Sequence, residues 1–336
     1  MKQFAKLFFG MCLLFAGAQS AFAVPGNYLA SVLNTPVFPS PPSCYSYENH
    51  TVPTSPAPPF LGLGEENVGV MCFQTTAGSA GGTVTDGHVR GRGLTSLFRF
   101  PCLGGTTSNA ISGTYGFVFG ANVPYWGGGW IDFGLPNPAG CMDDYDIVVN
   151  NVSGGLAGGF QLIKRATTPN PNALVLAGTA FYQGPQPAAP GYYAAVLNGC
   201  YSFLSESVLT SPTPSGPGKD LLGLICFVPG AGATNPSGNV SYGRVRDLNG
   251  VITSINNPNS SCFACTGTYN VNNLPGYGMG TVTIGICPAC LIFDFAVFGV
   301  GVPAPGVAQG FQFALNHPVS LAGSRLEGGT AYFQQQ

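Results

Sequence analysis

Four cysteines towards the C-terminus carry the most specific spacing in the chain. Cys262 and Cys265, followed by Cys287 and Cys290, form C-x2-C-x21-C-x2-C. Two thiolate knuckles on a hairpin can close a tetrahedral zinc site. The intervening loop is longer than the usual zinc-ribbon range. The N-terminal half has a single cysteine at each corresponding place, Cys102 and Cys141. That difference suits one inter-strand disulfide that the C-terminal half has doubled, and zinc at the four positions stays as the alternative. A redox-active C-x-x-C usually needs a helix N-terminus to lower its thiol pKa, and no helix is legible beside these residues.

Charged residues make up only 7% of the chain, so those that recur are informative. Gly87-His88-Val89-Arg90 returns as Gly243-Arg244-Val245-Arg246, and Tyr145-Asp146-Ile147 returns as Phe293-Asp294-Phe295. A buried aspartate between aromatic neighbours must be paired or neutralised. Arg90 with Asp146 and Arg246 with Asp294 are therefore expected as buried structural pairs, with a polar anchor in a ligand cavity as the alternative. The histidines, His50, His88 and His317, lie far apart and do not recur, so they are read as solvated loop or strand residues. Asp143, Asp144 and Asp146 lack the Asp-x-Asp-x-Asp-Gly loop of a calcium site and read as a solvated turn. No Gly-x-Ser-x-Gly elbow and no phosphate-cradling glycine loop is present. The expectation is a non-enzymatic chain with no cofactor.

The elements that position these residues come in two copies. Gly26 to Asn34 returns as Gly191 to Asn198, Cys44-Tyr45-Ser46-Tyr47 as Cys200-Tyr201-Ser202-Phe203, and Gly113-Thr114-Tyr115 as Gly267-Thr268-Tyr269. Gly159-Phe160-Gln161-Leu162 returns as Gly310-Phe311-Gln312-Phe313, and Gly178 to Gln183 as Gly329 to Gln334. A repeat of this length is a duplicated domain. The expected layout is a signal peptide over 1–23, a first domain over 24–184, a Pro-rich linker over 185–190 and a second domain over 191–336. Lys2 and Lys6, the apolar run Leu7 to Ala16, and Ala21-Phe22-Ala23 supply the signal-peptide pattern. Export leads to a periplasmic, cell-surface or extracellular location, where disulfides are the default. Matched positions then predict Cys44–Cys72, Cys102–Cys141 and Cys200–Cys226, plus Cys262 and Cys265 joined to Cys287 and Cys290.

Sparse charge, with a formal net of -2, argues against nucleic-acid binding. Fifty Gly and 29 Pro mark many turns. Between them lie short runs rich in Tyr, Phe, Val, Ile and Thr, which read as strands. In the second copy strands are expected near 192–198, 200–205, 221–228, 238–246, 250–255, 265–272, 279–286, 290–298, 309–315 and 326–334. Short connections make an antiparallel meander, which closes to remove its edges. The run 290–298 is apolar on both faces, so its outer face needs a cover, for which the partner domain is a candidate. Short strands and the ending Gln334-Gln335-Gln336 argue against a transmembrane barrel.

The blocks Gly238-Asn239-Val240, Gly243 to Arg246, Gly267 to Asn272, Gly278 to Ile284, Phe293 to Val297 and Gly329 to Gln334 resemble secreted bacterial lipocalin-like β-barrel domains of unknown function. The likeness covers most of 191–334 and, more loosely, 26–183. It implies fold and export rather than an activity. The fold expected is all-β: two tandem antiparallel up-and-down, lipocalin-like barrels or closed meanders, with little helix after the leader. Three functions compete. One is a carrier of a small apolar ligand in one or both barrels. The second is a structural or adhesive exoprotein that self-associates. The least favoured is a hydrolase or isomerase with its site inside a barrel. Cavity volume separates the first two, because a barrel filled by its own side chains cannot hold a ligand.

Overall fold

The computed structural model describes residues 43–52, 65–75, 81–93, 109–117, 128–134, 142–153, 156–165, 175–185, 192–209, 221–232, 234–247, 252–255, 267–272, 277–286, 289–315 and 325–334. The first half forms β1 (Ser43–Val52), β2 (Glu65–Thr75), β3 (Gly81–Gly93), β4 (Asn109–Ala110), β5 (Ser112–Phe117), β6 (Gly128–Gly134), β7 (Met142–Ser153), β8 (Leu156–Lys164) and β9 (Val175–Tyr182). The second forms β10 (Gly199–Leu209), β11 (Leu221–Pro229), β12 (Ser237–Asp247), β13 (Ile252–Ile255), β14 (Thr268–Asn272), β15 (Met279–Ile286), β16 (Ala289–Phe298), β17 (Gly310–Leu315) and β18 (Arg325–Phe333). Pairing is antiparallel throughout. In each half the last strand returns to pair with the first, closing an eight-stranded up-and-down barrel, while β4 and β13 add short pairings to β3 and β12. The molecule is all-β, as its sequence predicts.

The duplication holds to the residue. Cys44 faces Cys72 and Glu48 faces Val68 on β1–β2; Cys200 faces Cys226 and Leu204 faces Leu222 on β10–β11. A bulge follows Cys72 in one barrel and Cys226 in the other. Asp146 faces Ile163 where Asp294 faces Ala314. Both cysteine pairs are disulfides, which fits an oxidising, extracytoplasmic environment.

Alternation along each strand sends one set of side chains inward. In the first barrel Tyr45, Phe73, Tyr115 and Phe160 interlock, with ring centroids 5.2–5.8 Å apart. In the second, Tyr201, Phe227, Tyr269, Phe295 and Phe311 do the same at 5.0–5.8 Å. These are edge-on and tilted aromatic contacts, which bury large apolar areas. The strand expected over 192–198 is instead a single 3₁₀ turn, Ala194–Val196, that joins the second core. The Tyr269 hydroxyl lies 2.8 and 3.0 Å from the Ala194 and Leu197 carbonyl oxygens and shares its one proton between them, so a buried partner stands in for the ladder that a strand would need.

The barrels touch wall to wall. Cys44, Val68, Val70 and Cys72 of the first pack against Tyr277, Met279, Ala296 and Ala314 of the second. Phe181 stacks on Phe298 at 4.7 Å. The two-faced apolar strand is β16: Phe293, Phe295 and Val297 enter the core, while Ala296 and Phe298 lie under the first barrel. Backbone bonds Gly299 N to Tyr182 O (2.9 Å) and Val300 N to Gln183 O (2.7 Å) tie the seam's edge. Gly184 sits there at φ +99°, and a Cβ would strike the Val300 carbonyl, so both conformation and space demand glycine.

Candidate functional site

The outward residues of β1 and β2 build the most polar buried feature among the described residues. Glu66 crosses the seam and accepts a hydrogen bond from the Glu327 N–H at 2.9 Å. The Leu315 backbone supplies a second bond. These groups lie just past Ala314–Gly328, the last β17–β18 pair, where the ladder no longer uses them. The other Glu66 oxygen is buried and has no partner. Burial, reinforced by the Glu48 carboxylate, pushes the Glu66 carboxyl well above the ordinary range. Gly328 makes room for this: a Cβ there would fall against the Glu66 and Glu48 oxygens together.

Glu48 leads outward to a cleft. His50 Nδ1 lies 2.8 Å from Glu48 Oε1, and its Nε2 lies 3.4 Å from Glu206 Oε2 of the second barrel. Burial raises the Glu48 carboxyl, and the bond to Glu48 raises the His50 imidazole. The cleft has a volume of about 450 Å³. Glu48, His50 and Glu206 line it at one side, and Leu204, Leu222 and Tyr332 supply apolar lining. Inside the second barrel the Ser205 hydroxyl donates to Glu327 at 2.7 Å. Inside the first, Asn67 donates to Asn49 at 2.9 Å. The cleft thus sets a histidine bonded to a buried carboxylate beside an apolar lining, and among the described residues no cluster could hold a metal ion.

The recurrent charges behave differently from expectation. Asp146 is 53% exposed and pairs with Arg165, at 2.6 and 2.7 Å to one oxygen, so the buried Arg90–Asp146 pair is corrected. Arg90 is placed on β3 opposite Val68, with β5 and β6 between β3 and β7. Asp294 is buried, whereas Arg246 is exposed on β12, so that pair is not a buried one either. The physical reason is the seam: the wall bearing Asp294 is covered by the first barrel, and the wall bearing Asp146 is not. Cys102, Cys141, Cys262, Cys265 and Cys287 lie outside the described residues, as do His317, the leader and most of the linker. Cys290 is placed on β16 opposite Gly285. His88 is on β3, and His50 is a bonded cleft residue rather than a solvated one.

Sequence reasoning missed Glu48, Glu66, Glu327 and Gln312. Glu48 and Glu66 share the outward parity of the paired cysteines, which was the available signal. Gln183 and Gln334 were visible in the repeated motif, but not their different fates. Gln183 is buried and donates to the Tyr277 and Val297 carbonyls at 2.7 and 3.0 Å; Gln334 is exposed.

No family model matches the chain, and no curated protein matches it. Among solved structures it is similar to a crystal structure of a protein of unknown function from the DUF3598 family of Nostoc punctiforme. The identity is 8%, over 93% of this chain and 99% of that one, with a TM-score of 0.26. A likeness that loose carries no functional argument. Among the described residues no helix is long and apolar enough to cross a membrane.

Proposed function

We propose that this protein is an exported, non-catalytic structural protein that works by self-association through the outer walls of its barrels. One observation carries the reading. The barrel cores are packed with their own aromatic rings, while the second barrel leaves Leu204 and Leu222, which face each other across β10–β11, 51% and 58% exposed. Exposed apolar patches of this kind mark interaction surfaces. Sedimentation of the disulfide-bonded chain over a wide concentration range tests it. Mass that rises above one chain is expected; a monomer at all concentrations overturns it.

The carrier reading has a different observation in its favour, the inter-barrel cleft. Its volume suits a small molecule, and its carboxylates suit an apolar ligand with a cationic end. Native mass spectrometry separates the two readings, since a carrier is a monomer that retains or takes up a stoichiometric alkylamine.

A further inference from the structure

We propose that the β10–β11 wall of one chain docks on the β7–β8 wall of a second copy, repeating between chains the contact that joins the two barrels within one chain. The proposal rests on the self-association reading and specifies its surface. The internal seam is not symmetric. The first barrel contributes β1–β2, and the second contributes β16–β17 with neighbouring β15 and β18. These are non-corresponding walls of a repeated fold, so the contact is head-to-tail. Such a contact leaves one further copy of each wall outside the seam: β10–β11, which corresponds to β1–β2 and whose Leu204, Leu222 and Glu206 line the cleft at the seam's edge, and β7–β8, which corresponds to β16–β17.

The two walls keep the apolar positions of their buried counterparts in part: Asn150 stands where Phe298 does, and Leu204 where Glu48 does. Strand register matches Leu222 to Val68 and Leu224 to Val70 on the docking side. On the receiving side it matches Val148 to Ala296 and Ile163 to Ala314. Ile163 is 45% exposed, an apolar residue on an open wall where its counterpart is buried in the seam. A polar contact is conserved in kind as well. In the seam the Gln312 amide donates to the Thr179 carbonyl at 2.8 Å. Gln161 holds the place of Gln312 on β8 and is exposed, while the counterpart of Thr179 is Thr330 on β18, at the edge of the inter-barrel cleft. Glu206 replaces His50 on the docking wall, and Arg165 follows the β8 position matching Leu315, whose backbone meets the Glu66 carboxylate in the seam. In strand order β9 or β18 separates the docking wall from the receiving wall, so one barrel can present both at once.

The test uses Leu222→Glu and Ile163→Glu in the full, oxidised chain. Both sites are exposed, so circular dichroism and melting should match the parent. Each substitution alone should weaken association at least about tenfold, the equivalent of one well-buried apolar side chain. Mixing the two variants is the decisive arm. Each retains one intact wall, so a head-to-tail contact predicts a capped dimer of one chain of each kind and nothing larger. Association unchanged by either variant, or a mixture that stays monomeric, overturns this surface while self-association stands. A parent protein that is monomeric throughout overturns both.

Discussion

Glu66 ends with one oxygen on the Glu327 N–H and the other buried without a partner, in a seam that also holds Glu48. Glu66, Glu48 and His50 all have raised pKa values in the folded protein: burial is the main cause for the glutamates and the Glu48 bond for the histidine. A raised pKa means that the folded state holds the proton more tightly than the unfolded chain. The contribution is therefore complete below the ordinary value and is lost as pH rises through the folded value. For the two glutamates the loss begins above 4.5, and for His50 above 6.5. Unfolding free energy should accordingly fall as pH rises from about 4.5 past neutrality, which urea titrations at stepped pH will show. Glu66→Gln should stabilise the protein at pH 7.5 by roughly 1–2 kcal/mol, the scale of one buried unpaired polar atom, and flatten that slope. The two repeated glutamines supply a matched control. Gln183→Ala strands two buried carbonyls and should cost about 1–3 kcal/mol. Gln334→Ala, at the exposed twin, should stay within about 0.5 kcal/mol.

At the scale of the element, β16 shows what the sequence could and could not carry. Its apolar run from Leu291 to Phe298, broken only by Asp294, announced a strand covered on both faces, and the cover is the first barrel. Nearly all of the second copy's strands were legible, because Gly, Asn and Pro punctuate each apolar run. The turn at Ala194–Val196 was not, since its carbonyls are satisfied by Tyr269, some 75 residues away. The candidate site was illegible for a related reason. Repeat matching rewards residues that recur, and the seam joins walls that do not correspond, so Glu48 faces it while its twin Leu204 does not. Ala296→Arg, which forces a charge beneath Val68 and Val70, should separate the walls without unfolding either core. Its signature is two melting transitions in calorimetry where the parent shows one. Replacing Cys44 and Cys72 together by Ala removes a link across 28 residues on that same face. It should cost about 2–4 kcal/mol under oxidising conditions, and nothing relative to the parent in reductant, read from the denaturation midpoint.

For the whole molecule, the head-to-tail seam sets how a tandem chain differs from two free barrels. If the barrels were separate chains, the β1–β2 wall would meet its partner only at the concentration those chains reach. Residues 183–198 between β9 and β10 turn that encounter into an intramolecular one. Short tethers of this kind hold partners at an effective concentration on the order of millimolar. If chains associate as proposed, the first contact of any array is thereby closed before two molecules meet. Dilution would then dissolve such an assembly and leave the pair within each chain intact, so the smallest particle expected is two barrels rather than one.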